Sequence, residues 1–533
     1  MSRLTLAAAL AVATFSSGPT AYAEIGAVAV TGGSVSGVRA EGIVSFKGIP
    51  FAAPPVGDLR WQAPQPVVPW KGVKKADTFG PSCMQDPNFA ALFGAPAAIG
   101  EDCLYLNVWT PAKSASAKLP VMVWIYGGGF VGGMTSVPTY DGTQFAKKGV
   151  VLVSVAYRLG AFGFLAHPEL SRESGKGSGN YGLLDQIAGL KWVKANIARF
   201  GGDPSRVTIF GESAGGISVS MLSASPAAHG LFQRAISESG GSFGPARYGS
   251  EGGENVPPLK VAEATGQAFL AKLGAYHIGA ARALKAEVIQ KALGPGLQGG
   301  FWPVFDGDVL PGDQYELYQA GHFNDTPVLI GTNSDEGALF VRGGVTPQQF
   351  ESQVRAGFGA RADEILAAYP HATDAEAFAA AKGVARESTF AWHTWAWALL
   401  QSQKGKGKAY VYYFDHRTSQ SPQGANHGSE ILYVFGNLGA GRGGPFGLPG
   451  APLPADTALS DLMMSYWVNF ATHGDPNGKG LPAWPAFSSA SQQVMRLSDN
   501  GPGAGPVPNI GPIKAFDDYY AWRREQAKAR PAN

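Results

Sequence analysis

Val207-Thr208-Ile209-Phe210 runs directly into Gly211-Glu212-Ser213-Ala214-Gly215-Gly216. The first four residues are β-branched or aromatic, as in a buried strand. The next six set a serine among glycines, and the small and apolar residues that follow can start a helix. Strand, G-x-S-x-G turn and helix together predict a nucleophile elbow. The reason is steric. A turn this sharp puts the serine backbone in a strained conformation, and the flanking glycines leave room for neighbouring elements. The hydroxyl then projects alone from the sheet, at the positive end of the helix.

The pattern is weak without its context, because Gly240-Gly241-Ser242-Phe243-Gly244 matches it too. That second match also follows a strand candidate, at residues 234–237. However, Pro245 and a glycine-rich tract come next and offer no helix, so Ser242 reads as a chance match.

Outward from the elbow, short apolar runs at residues 121–126, 151–155, 234–237, 328–331 and 409–414 read as further buried strands. Between the second of these and the elbow strand, Leu184, Ile187, Leu190, Trp192, Ile197 and Phe200 recur mainly at three- and four-residue steps. That spacing predicts a helix over 183–200. The alternation predicts an α/β chain with a mostly parallel sheet. Residues 347–403 read as helical material forming an insertion or cap.

Acyl transfer needs donors for an oxyanion as well as a nucleophile. Gly127-Gly128-Gly129-Phe130 follows the 121–126 strand, and consecutive glycines let backbone N–H groups approach a substrate closely. With the N–H of Ala214 they form a candidate oxyanion hole, where each donor is worth about a hundred- to a thousandfold in rate. An acid and then a histidine are expected downstream, each on a loop after a strand. Asp335 and Glu336 compete for the first role. His427, in a glycine-flanked loop, is favoured over His416 for the second. His371 and His393 fall in helical patterns and read as surface or packing residues.

The N-terminus has Arg3, an apolar run over residues 4–15 and Ala21-Tyr22-Ala23. Residues 1–23 therefore read as a secretory signal peptide, with the mature chain starting near Glu24 and exported to the periplasm or medium. Export makes the only two cysteines, Cys83 and Cys103, a candidate disulfide. No Cys/His spacing suggests a metal site, and no later stretch is long and apolar enough to span a membrane. Charged residues are 15% of 533 with a net charge of +2 and no long charged run, which argues against a nucleic-acid partner.

The chain resembles the type-B carboxylesterases, which include bacterial para-nitrobenzyl esterases and the cholinesterases. The resemblance spans nearly all of the mature sequence. It is strongest in Phe46-Lys47-Gly48-Ile49-Pro50-Phe51-Ala52, Pro54-Pro55-Val56-Gly57, Glu101-Asp102-Cys103-Leu104-Tyr105-Leu106-Asn107-Val108-Trp109 and Trp124 to Phe130. It then continues from Asn180-Tyr181-Gly182-Leu183-Leu184-Asp185-Gln186 to Gly216. It implies an α/β-hydrolase fold, a mostly parallel central sheet flanked by helices. The whole would be a single domain over residues 24–533 with a helical insertion around 340–408.

The resemblance also implies an acid at Glu336 and a base at His427, the latter from Asn426-His427-Gly428-Ser429-Glu430. It implies an oxyanion hole of Gly128, Gly129 and Ala214, support for His427 from Glu212 and Ser239, and a Cys83–Cys103 bridge. Two ion pairs follow as well, Arg60 with Glu101 and Arg158 with Asp185. The chain departs from the cholinesterases between Cys83 and Cys103. Phe89, Leu92, Phe93 and Met84 are the large apolar groups there, and the tryptophan that stacks on choline is missing. Cation–π recognition of a quaternary ammonium is therefore not expected.

The implied activity is hydrolysis of small-molecule carboxylic esters through an acyl-enzyme on Ser213, with no metal or organic cofactor. A catalytically silent binding or adhesion protein on the same fold is the rival from another class. An amide, carbamate or lactone is the rival substrate. Phe130, Phe301, Trp302, Phe340 and the Trp392, Trp395 and Trp397 cluster are candidates for an aromatic pocket. Core packing is the plainer reading for at least two of those three tryptophans.

Overall fold

Runs with no polar interruption become strands covered on both faces. The computed structural model describes residues 26–94, 98–249, 256–295, 301–440, 447–448 and 450–529, so the expected signal peptide lies outside the described residues. Among them, eleven strands form one sheet: β1 (Val38–Ala40), β2 (Ile43–Pro50), β3 (Tyr105–Thr110), β4 (Leu119–Ile125), β5 (Val151–Val155), β6 (Gly202–Glu212), β7 (Arg234–Glu238), β8 (Val328–Asn333), β9 (Ala409–Asp415), β10 (Gln493–Ser498) and β11 (Gly503–Pro506). Their spatial order is β11-β10-β9-β8-β7-β6-β4-β5-β3-β2-β1. The stretch from β10 to β5 is parallel throughout, and both margins are antiparallel. β5 and β8 are buried at every position, as strands sandwiched between helices must be.

The connections diverge where β4 and β6 lie side by side. From β4 the chain moves to β5 on one side, and from β6 to β7 on the other. The carboxyl ends of β4 and β6 therefore mark a topological switch point, the usual location of a site in an open α/β sheet. Residues 127–129 and Ser213 lie immediately after those two ends.

The helix expected over 183–200 runs from Tyr181 to Asn196, then tightens into a 3₁₀ turn, Ile197–Phe200. It stops at Gly201, whose φ of +79° suits glycine. Between β8 and β9 lie the helices Pro347–Phe358, Ala362–Ala367, Asp374–Arg386 and Trp392–Lys404. Thr346 with Gln349 and Thr373 with Glu376 make capping boxes that start two of them. The last two are joined through a single π-helical stretch, Glu387–Ala391.

All three tryptophans of the Trp392 cluster belong to the core. Trp392 donates to Asp517 at 3.1 Å, Trp395 donates to Gln492 at 3.0 Å, and Trp397 packs against Phe243 and Tyr318. Phe130 is buried edge-on against Phe164 and Trp302, whereas Phe340 is exposed. Cys83 and Cys103 form a disulfide. Arg60 meets Glu101 through two contacts of 2.6 Å, and Arg158 meets Asp185 through two of 2.8 Å. Among the described residues no helix is long and apolar enough to cross a membrane.

Candidate active site

Ser213 sits at φ +54°, ψ −125°, a region that side chains normally avoid. Its neighbours hold it there. The Ser213 N–H donates to the Glu238 carbonyl on β7 at 2.9 Å, and its own carbonyl accepts from Ile217 N–H at 2.8 Å. The adjacent glycines are required by contact rather than by flexibility. A Cβ on Gly215 would lie 2.0 Å from the Ile125 carbonyl oxygen at the end of β4, and one on Gly211 would lie 2.5 Å from the same atom. Helix Ala214–Ala224 can begin this close to the sheet only because those positions lack side chains. The rival match has no such setting, since Ser242 is buried in irregular chain with no helix after it.

The glycine loop after β4 touches the serine. A Cβ on Gly127 would lie 3.0 Å from the Ser213 Cβ and 2.6 Å from the Glu212 carbonyl oxygen. Gly128 and Gly129 take φ values of +109° and +63°, and a Cβ on Gly128 would strike the Gly132 carbonyl. Gln85, two residues beyond the disulfide cysteine, fixes the far end of this loop. Its side-chain oxygen accepts from Gly133 N–H at 3.0 Å, and its amide donates to the Gly133 carbonyl at 2.9 Å.

Glu336 and His427 are brought together. Glu336 Oε2 lies 2.6 Å from His427 Nδ1, while Oε1 accepts from the Ser239 hydroxyl at 2.5 Å and from Asn333 N–H at 2.7 Å. The two loops that carry them are tied by Asp335 N–H to the Ala425 carbonyl and by the Asn333 amide to the Asn426 carbonyl. The competing residues go elsewhere. Asp335 pairs with Lys382 at 2.9 Å. His416 lies between Asp456 at 2.8 Å and Asp499 at 2.5 Å. The other ring nitrogen of His427, Nε2, is 3.2 Å from Glu212 Oε1, and the phenyl ring of Phe390 stacks on the imidazole at 4.5 Å.

Buried carboxyl groups dominate the electrostatics. Burial disfavours the His427 imidazolium, but the Glu212 and Glu336 carboxylates outweigh it and raise its pKa from 6.5 to about 10. Burial raises Glu212 to about 7 against the pull of His427, with repulsion from Glu336 adding to the rise. Glu430, which accepts from the Asn333 amide, is raised to about 8 by burial and by Glu212 and Glu336. Glu238, which accepts from Trp467, is pushed well above the carboxylate range by burial and by Glu430. These groups titrate as one set, and protons are shared within it. Among the described residues no cluster of His, Cys, Asp and Glu is arranged to hold a metal ion.

A serine on a strained turn, an imidazole oriented by a buried carboxylate and a loop of backbone donors together suit acyl transfer. Sequence reasoning did not single out Phe390, Gln85 or Asn333. The first is one aromatic residue among many in a helical stretch, and the other two act through contacts distant in the chain. Only the glycine loop's need for a brace could have pointed to Gln85.

A sequence profile described as "Carboxylesterase family" matches residues 25–505. Fumonisin B1 esterase of Sphingopyxis macrogoltabida is 39% identical over 497 residues, covering 91% of this chain and 88% of that protein. Para-nitrobenzyl esterase of Bacillus subtilis (strain 168) is 36% identical over 488 residues, covering 87% and 93%. Among solved structures, a PNB esterase superimposes with a TM-score of 0.80 at 34% identity, covering 92% of this chain and 99% of that one. A thermophilic PNB esterase matches with a TM-score of 0.80 at 33% identity.

Proposed function

The chain belongs to the carboxylesterase family and is a carboxylic ester hydrolase, and from that premise we propose that Ser213, His427 and Glu336 carry the reaction. The observation that carries this reading is the 2.6 Å contact of Glu336 with His427, whose other ring nitrogen lies 3.2 Å from Glu212, the residue before the strained Ser213. His427 Nε2 takes the serine proton as Oγ attacks the ester carbonyl. The Nδ1–H donates to Glu336, which orients the ring and stabilises the imidazolium. The N–H groups of Gly128, Gly129 and Ala214 receive the oxyanion. His427 then protonates the leaving alcohol, and a water repeats the sequence on the acyl-enzyme. Ser239 and Asn333 fix the Glu336 carboxylate through its second oxygen, and Glu212 adds negative charge beside the base.

Residues 1–23 act as an export signal in this reading, and residues 24–533 form one catalytic domain whose disulfide suits an oxidising compartment. The names of the relatives supply two probe classes, a para-nitrobenzyl ester and the esters of fumonisin B1. The test is turnover of a short-chain aryl ester by Ser213→Ala and His427→Ala. Each should fall by about 10⁴-fold with the fold retained. Near-normal turnover by Ser213→Ala would remove the assignment.

A further inference from the structure

We infer that Phe390 is a positioning residue for His427, held against one face of the imidazole by the π-helical turn Glu387–Ala391. The inference rests on the reading of His427 as the base. The ring centroids are 4.5 Å apart and the planes differ by 20°. Phe390 is buried, so its ring is a fixed wall and not a mobile cover.

The backbone beneath it is unusual. A π turn inserts one extra residue into a helix, and such turns are frequent at functional sites. In an uninterrupted α-helix each residue advances by about 100°, so losing the extra residue would swing position 390 off the imidazole. Contacts from separate parts of the chain hold the turn in place. The Glu387 carboxylate accepts from Arg386 at 2.7 Å and from the Tyr369 hydroxyl at 2.9 Å. The Ser388 carbonyl accepts from the Tyr520 hydroxyl at 3.1 Å and lies 3.2 Å from His393 Nε2. His393 Nδ1 in turn accepts from Phe243 N–H at 3.0 Å. Burial holds the His393 pKa down at about 3, so this imidazole stays neutral and keeps both bonds. None of these groups touches Ser213 or the glycine loop in the contacts described above. Arg386 also donates to the Ser334 carbonyl at 2.9 Å, so the turn is tied to the loop that carries Glu336 while it presents Phe390 to the imidazole.

The wall restricts one motion. Glu336 anchors Nδ1, and the remaining freedom of the ring is a tilt that carries Nε2 out of plane. Nε2 already has Glu212 Oε1 at 3.2 Å as an alternative partner to the serine. With Phe390 on one face, the imidazole cannot tilt to that side and stays in the plane set by its contacts with Glu336 and Glu212. Misplacing a catalytic group by about 1 Å costs on the order of 100-fold, so the wall acts on rate and not on substrate affinity.

The experiment compares Phe390→Leu and Phe390→Tyr in the full-length protein, with Ser213→Ala and His427→Ala alongside. Leucine keeps apolar bulk but loses the flat face, whereas tyrosine keeps the face. For Phe390→Leu the expected result is a kcat lower by about 10- to 100-fold, KM within about twofold, a displaced pH midpoint of kcat/KM and an almost unchanged Tm. Phe390→Tyr should restore kcat to within about threefold. A folded Phe390→Leu with normal kcat and an unmoved pH profile would overturn the inference. If the leucine variant fails to fold, the tyrosine variant decides: normal rate and pH profile support the wall, and a lost rate at normal Tm overturns it. Should Ser213→Ala or His427→Ala retain turnover, the triad reading falls and the role of Phe390 with it. Should both lose turnover while Phe390→Leu keeps it, only the role of Phe390 falls.

Discussion

The Nε2 atom of His427 has an anionic neighbour at 3.2 Å, Glu212 Oε1, besides the serine it must deprotonate. Glu212 and Glu336 together stabilise the imidazolium, which must lose its proton before the ring can act as base. The rate should therefore climb with pH from neutral toward alkaline. Replacing Glu212 by Gln removes one stabilising charge and lowers the pKa of the base. The acid limb of kcat/KM should move to lower pH by about one unit or more. A limb that stays in place in a folded Glu212→Gln protein contradicts this electrostatic picture. At this scale the sequence was legible where a motif carried a steric demand, as at Gly211-Glu212-Ser213-Ala214-Gly215. It left Asp335 and Glu336 open because the two occupy adjacent positions in an irregular turn, where no periodicity says which side chain points inward. His416 and His427 were open for a similar reason, since Asp456 and Asp499, which claim His416, lie far along the chain.

Among the elements, the elbow and the disulfide loop make separate predictions. Gly215→Ala places a methyl 2.0 Å from the Ile125 oxygen, and neither backbone can yield without parting helix Ala214–Ala224 from β4. Denaturant unfolding should show a loss of about 3 kcal/mol or more, or no soluble protein. A near-wild-type Gly215→Ala would mean the crossing is looser than described. Replacing both Cys83 and Cys103 by Ser releases a twenty-residue loop, worth about 3 kcal/mol in the chain-entropy model. It also loosens Gln85, the brace of the glycine loop. Gln85→Ala isolates that second effect, and kcat should fall about tenfold or more while Tm changes little. Unchanged kcat would show that the glycine loop needs no brace. Strands such as β5 and β8 were readable because burial on both faces leaves an unbroken apolar run. The outermost antiparallel strands were not. β1 is exposed throughout and β11 is Gly-Ala-Gly-Pro, so neither carries an apolar pattern. The π turn was equally hidden, because Tyr369 and Tyr520, which bond to Glu387 and Ser388, lie outside the local helical sequence.

For the molecule as a whole, the buried acid–base set makes folding stability depend on pH with a definite sign. The pKa of His427 rises on folding from 6.5 to about 10. Its stabilisation is therefore complete below 6.5 and disappears as pH rises through 10. Glu212 and Glu430 rise from 4.5 to about 7 and about 8. They bind protons more tightly in the folded state, so their contribution also declines as pH rises over those intervals. All three push the same way, and stability should fall with pH wherever the native state holds the extra protons. Tm should be lower at pH 9 than at pH 6 while turnover is higher, and Glu212→Gln should flatten the slope. A Tm that rises from pH 6 to pH 9 contradicts this.

The most direct measurement is reaction of the purified protein with a fluorophosphonate, followed by mass mapping of the labelled peptide. One adduct is expected, on Ser213, formed in step with loss of aryl-ester hydrolysis. An adduct on Ser242, or full loss of activity with Ser213 unmodified, would contradict the assignment of Ser213.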